Sequence, residues 1–182
     1  MADVEPAPMF FFAPFVSSTM AIEPEWIDYN GHMNMAYHHV LFDRAVDEAF
    51  GLVGLGRDYI EQRNASFFTA EIHTLYKREL SLSDRVRVTV QLIDFDEKRL
   101  HFYQEMRHVE EGWVAASSEN LCLHIDIATR KVTPFPGDIL GNLAVMKAAH
   151  AQLARPAALG QCVGMRRREE AALERALAGT RH

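Results

Sequence analysis

The sequence predicts an α+β domain in which a curved five-stranded antiparallel sheet wraps one long central helix, with a second helix at the periphery. Three observations predict it. Residues 35–53 carry a helix pattern that is apolar around most of its circumference, so most of its sides have to be enclosed. Four strand-like segments follow it, joined by turns short enough to require antiparallel neighbours. The chain's 182 residues, 48% hydrophobic and 24% charged, suit a single domain with a sizeable core.

Residues 1–15 read as an N-terminal arm whose first eight residues form a loose acidic tail. Phe10, Phe11 and Phe12 are expected to cover apolar surface or begin a strand. The apolar run 9–12 is far too short for a membrane span, and no basic segment precedes it, so neither signal peptide nor membrane is expected. A first strand is expected over 16–23. In the helix 35–53, His39, Asp43 and Asp47 form a polar stripe at i, i+4 spacing. Gly51, Gly54 and Gly56 punctuate its end.

The next strand is expected over 66–80. Val86, Val88, Val90 and Leu92 alternate with Arg85, Arg87, Thr89 and Gln91, a period of two with one face buried. A turn at 94–98 leads to a strand at 99–108, and Glu110-Glu111-Gly112 leads to the last strand, 113–127. On that strand Leu121, Leu123, Ile125 and Ile127 share a face. Pro134 to Gly137 breaks the pattern, and Asp138 is placed to cap a helix running to about Leu153. The domain is thus expected over 16–153, with a partly helical or disordered tail over 154–182. Residues 166–182 alternate Ala, Leu, Glu and Arg after an arginine run, which reads as a solvated terminal helix more readily than a partner helix.

A formal net charge of −6 argues against sequence-independent nucleic-acid binding. Only Cys122 and Cys162 are present, so no disulfide framework is expected, and a reducing, cytoplasmic setting fits.

The chemistry concentrates at residues 26–37, Trp-Ile-Asp-Tyr-Asn-Gly-His-Met-Asn-Met-Ala-Tyr. This turn sets one carboxylate, Asp28, just before a helix whose free N–H groups favour developing negative charge. That pairing suits a hydrolytic centre. His38, His39 and Asp43 could suggest a metal, but three or four ligands are needed and the sequence places no others; polar or packed helix positions account for them better. Cys122 reads as a core thiol, and no Gly-x-Ser-x-Gly supports a serine hydrolase.

Asp-Tyr-Asn-Gly-His-Met-Asn at 28–34, followed by the apolar helix and the meander, resembles hot-dog acyl-CoA thioesterases of the 4-hydroxybenzoyl-CoA thioesterase type. The resemblance covers roughly residues 16–135. Within that family the turn is similar to that of betainyl-CoA thioesterases, which share Trp-Ile-Asp-Tyr-Asn-Gly-His-Met-Asn. The resemblance implies that Asp28 is the catalytic carboxylate, as nucleophile or as base for a water. It implies the Met35 amide as oxyanion donor, Gly31 as the tight-turn residue, and Asn34 and His32 as holders of the turn or of Asp28. Lys77, Arg78 and Arg99 are candidates for the phosphates of coenzyme A, although an exposed strand face accounts for them equally well. No metal or separate cofactor is implied, coenzyme A being part of the substrate. A homodimer or dimer of dimers is implied, with the site at the interface.

Two other readings compete. A hot-dog enoyl-CoA hydratase would place Pro after the Asn and His five residues after the Asp; here Gly31 follows Asn30 and His32 lies four after Asp28. A non-catalytic acyl-CoA-binding module is the third reading, and the acidic chain has no DNA-binding segment to go with one.

Overall fold

One long strand shows how the chain closes on its helix. Along β4 (Arg85–Phe95), Val86, Val88, Val90 and Leu92 are buried while Arg85 and Arg87 are exposed, as the alternation requires. In this computed structural model, which describes residues 11–165, β4 pairs antiparallel with β5 (Arg99–His108). β5 pairs with β6 (Val114–Asp126), and β6 with β3 (Ala65–Tyr76). Two-residue strands β1 (Phe15–Val16) and β2 (Met20–Ala21) add to the outer edge of β4, and β7 (Lys131–Val132) adds to β6. The sheet therefore has seven strands, four of them long, with spatial order β1-β4-β5-β6-β3.

The central helix α1 spans Met35–Gly51 and buries His38, Leu41, Phe42, Ala45, Val46, Ala49 and Phe50. Phe50 packs against Phe102 and Phe67 at ring-centroid distances of 5.1 and 5.4 Å. Its enclosure is incomplete. Met35 and Val40 stay exposed on the flank that faces β3.

Three expectations need correction, and the shared face on β6 needs its side assigned. The first strand is not continuous over 16–23, because Ser18 turns its amide to Glu48 and Pro24, which lacks an N–H, starts a 3-10 turn (Pro24–Trp26). A helix α2, Arg57–Arg63, follows the glycines; it is short and buries only Tyr59, so it leaves no periodic signal. On β6 the buried concave face is Asn120, Cys122 and His124, while Leu121 and Leu123 lie opposite His101 and Arg99 on the convex face. The peripheral helix α3 is Gly137–His150, and Asp138 does not cap it; Asp138 sits in the first turn and pairs with Arg63 at 2.8 Å.

Residues 154–165 cross to the convex face, where the Gly160 amide donates to Glu119 at 2.7 Å. Leu153, Arg155 and Pro156 lie beside Tyr103, which is only 4% exposed there. Met9, Phe10 and the expected terminal helix at 166–182 lie outside the described residues. No helix among the described residues is long and apolar enough to cross a membrane.

Candidate active site

The turn before α1 is held almost wholly by its own backbone. The Asp28 amide donates to the His32 carbonyl at 3.1 Å, and the Gly31 amide to the Asp28 carbonyl at 3.0 Å. Gly31 has φ +83°, a left-handed conformation that favours glycine. Ile27 and Met33 bridge the base of the loop, the Asn34 amide donates to the Trp26 carbonyl, and the Met33 amide donates to the carbonyl of Leu80, beyond the end of β3. Trp26, buried, stacks on Tyr37 with centroids 5.4 Å apart, and the Arg44 guanidinium lies 5.1 Å from its ring.

This frame fixes the half-buried Asp28 carboxylate. Its Oδ1 accepts from the Asn30 amide at 2.8 Å, and its Oδ2 lies 3.4 Å from Asn34 Nδ2. Asn34 also caps α1, its Oδ1 accepting from the Ala36 amide at 3.0 Å. Its backbone carbonyl accepts from Tyr37. The Met35 amide, between them, has no acceptor among the described residues.

The other sequence candidates are spread out. His32 turns its imidazole to Glu79 at 3.3 Å and meets Asp28 only through its backbone. Lys77 and Arg78 leave β3 at the end nearest the turn, both amides donating to the Ala115 carbonyl, and Arg78 lies 4.2 Å over the Trp113 ring. Arg99 pairs with Asp96 at 2.6 Å. It stands opposite Leu123, whereas Tyr76 stands opposite Ala116. Seven residues of strand, about 23 Å, separate those positions. One chain therefore does not gather the three cations into one phosphate cradle.

Tyr76 meets His38 and His39, which the sequence left as polar or packed helix positions, at the first turn of α1. Tyr76 Oη lies 3.4 Å from the Met35 carbonyl oxygen and 3.2 Å from His39 Nε2. Beneath it His38 is buried and edge-on to the Tyr76 ring, with centroids 5.1 Å apart. Burial holds the His38 pKa below the ordinary histidine value, so the ring favours its neutral form. The available signal was parity: Tyr76, Thr74 and Ile72 alternate on the face of β3 that looks toward the helix.

Between α1 and β3 runs a groove of about 760 Å³, lined by His39, Val40, Asp43, Ile72, Gln104 and Asn120 among others. Burial and then the neighbouring Asp47 raise the Asp43 pKa. Burial pushes the Cys122 thiol up to about 11, which leaves it protonated and unreactive at neutral pH. Among the described residues no three His, Cys, Asp or Glu side chains are grouped to hold a metal ion.

Residues 22–143 match the profile of the thioesterase-like superfamily. The chain is 32% identical to the betainyl-CoA thioesterase of Pseudomonas aeruginosa over 142 residues, 78% of this chain and 89% of that one. It is also 32% identical over 146 residues to the L-carnitine dehydrogenase/betainyl-CoA thioesterase of Rhizobium meliloti, where the match covers 80% of this chain and 29% of the longer relative. Among solved structures, a Staphylococcus aureus protein determined in complex with CoA superposes with a TM-score of 0.77 at 28% identity, covering 86% of this chain and 99% of that one.

Proposed function

The chain belongs to the thioesterase-like superfamily, with the hot-dog fold, and from that premise we propose that it hydrolyses an acyl-CoA thioester to a free acid and coenzyme A. Thioester hydrolysis is the activity named for its relatives. We assign Asp28 as the catalytic carboxylate. The observation that carries this is the double hold on its carboxylate, by the Asn30 amide and by the residue that caps α1.

Asp28 acts in one of two ways. It attacks the thioester carbon directly and forms a mixed anhydride, or it takes a proton from an attacking water. In both, negative charge grows on the carbonyl oxygen. The Met35 amide at the helix N-terminus is the donor we assign to it, acting where the helix dipole adds to its effect. Asn34 and Gly31 hold the carboxylate and the turn in register. His32 supports the turn through its backbone. The scheme uses no metal and no cofactor beyond the coenzyme A of the substrate. Lys77 and Arg78, at the turn's end of the sheet, are better placed for its phosphates than Arg99.

We also propose a homodimer or dimer of dimers. Ile72 and Phe68 on the edge strand β3 are each more than 40% exposed, and Met35 on the adjacent flank of α1 is 60% exposed. An unpaired edge beside an apolar flank is a liability that a second copy removes. One free cysteine buried and one exposed fit a cytoplasmic protein.

Asp28→Asn tests the assignment. It keeps size and one of the two hydrogen bonds to the side chain but removes the charge. Across a panel of acyl-CoA esters that includes betainyl, aromatic and straight-chain members, turnover should fall by about 10²–10⁴-fold on every ester the wild type accepts. Near-wild-type turnover by a folded Asp28→Asn variant would falsify the role of Asp28.

A further inference from the structure

We propose that Tyr76, set by His39, is a further catalytic residue of this reaction: it supplies the proton that the departing thiolate of coenzyme A needs. The inference rests on the reading of Asp28 and α1 given above.

Tyr76 Oη has one hydrogen, and among the described residues two polar atoms are within its reach, the Met35 carbonyl oxygen at 3.4 Å and His39 Nε2 at 3.2 Å. A carbonyl oxygen only accepts. If both contacts are hydrogen bonds, the hydroxyl donates to Met35 and accepts from an Nε2–H on His39. The result is a short chain, His39 Nε2–H to Tyr76 Oη–H to the first carbonyl of α1. The Met35 bond is long and the Tyr76 side is exposed, so the hydroxyl can exchange that partner for a better one. A thioester bound with its carbonyl oxygen at the Met35 amide brings its sulfur to the same turn of helix.

The ring is also held. His38, buried below it, meets it edge-on, and Tyr76 lies on the face of β3 that looks toward α1. Among the described residues His38 Nδ1 has no hydrogen-bond partner at ordinary geometry, so the packing places a polar residue under the tyrosine where an apolar one would fill the space without that cost.

The step balances. Asp28 receives the proton of the attacking water, and the tetrahedral intermediate collapses with cleavage of the C–S bond. The electron pair of that bond goes to sulfur, and Tyr76 gives its proton to it. Solvent returns a proton to the Tyr76 oxygen, which the His39 Nε2–H holds in place, as Asp28 releases its own. The products are acid and thiol.

The test compares leaving groups. Tyr76→Phe keeps the ring and its contact with His38 but removes the proton. On an acyl-CoA, whose alkyl thiol is a poor leaving group, kcat should fall by about 10²-fold. On the same acyl group esterified to an aromatic thiol, which leaves unaided, kcat should fall less than about threefold by the same Brønsted logic. His39→Gln, which retains an Nε2–H donor, should keep most of the acyl-CoA rate, and His39→Leu should not. Equal losses on both esters, or no loss on acyl-CoA, would overturn the proposal. Asp28→Asn is the control. It should slow both esters, so failure of the Asp28 reading appears in that variant and failure of the Tyr76 reading in the ratio of the two esters.

Discussion

Asn34 ties Asp28 to the central helix: one amide side chain caps α1 through Oδ1, 3.0 Å from the Ala36 amide, and reaches Asp28 Oδ2 through Nδ2 at 3.4 Å. Carboxylate and helix N-terminus are thus registered against each other by a single residue. Asn34→Ala should lower stability by about 1 kcal/mol through the lost cap. It should also cut turnover by about tenfold or more, since small misplacements of a reacting group are costly. Asn34→Asp separates the two roles. It keeps the cap but sets a second carboxylate against Asp28, which favours a shared proton. Stability should stay near wild type while turnover falls at neutral pH and recovers as pH rises. Thermal melts and pH–rate profiles on both variants decide this.

Gly31→Ala isolates the backbone. A Cβ at Gly31 meets nothing within 4 Å, so the cost is conformational alone at φ +83°. We expect a loss of about 1–2 kcal/mol of stability. Denaturant unfolding with an unchanged m-value is the expected result, and an undiminished midpoint would show that the turn relaxes to another conformation.

Stability should fall as pH drops below neutral, with His150 as one source. Its Nδ1 accepts from the Leu92 amide at 2.9 Å, and its Nε2 lies 3.1 Å from the Phe12 carbonyl. Burial lowers its pKa below 6.5, so the unfolded chain binds the proton more readily. The stabilisation is complete above about pH 6.5 and is lost as pH falls from there through the lowered folded value. His38, lowered for the same reason, adds to the slope. His150→Asn should flatten the dependence of Tm on pH between 7 and 5 without abolishing it; an unchanged slope would remove His150 from the account.

Activity should survive prolonged chelation. The proposed site uses a carboxylate, backbone amides and a phenol, and a hydrolysis assay with metal analysis before and after chelation checks it. Loss of turnover restored by a stoichiometric divalent ion would redirect attention to His38, His39 and Asp43.

Ile72→Lys should dissociate the proposed assembly. It sets a charge on the β3 edge, in the groove beside α1. Sedimentation at micromolar concentration should show the wild type as a dimer or dimer of dimers and the variant as a monomer with sharply reduced turnover. A fully active monomer would contradict a site that draws on two subunits.

The central helix and β4 were legible because each carries a strong period, and both are buried on the side the period indicates. The turn was legible because its residues are local: the bonds among Asp28, Asn30, Gly31, His32 and Asn34 span six residues at most. What escaped depends on distant pairing. Tyr76 reaches Met35 across 41 positions and Tyr59 reaches His124 across 65, and neither leaves a local pattern. On β6 the leucines share a face as expected, yet that face is the convex one. The concave side takes Ser118 and Asn120, which bond to each other, and Asn120 bonds to Gln104, so polar groups with partners fill places that hydropathy reserves for leucine.

The segment 154–165 has a practical consequence. It follows α3 and carries no regular structure, so it invites trimming. Yet the Gly160 amide is fastened to Glu119, and the neighbouring Arg155 and Pro156 shelter Tyr103. Ending the chain at His150 would uncover an aromatic ring, Tyr103, on the outer wall of the sheet. The shortened protein should aggregate at concentrations where the full chain stays dispersed, so its poor behaviour would report a stripped wall and not a failed fold.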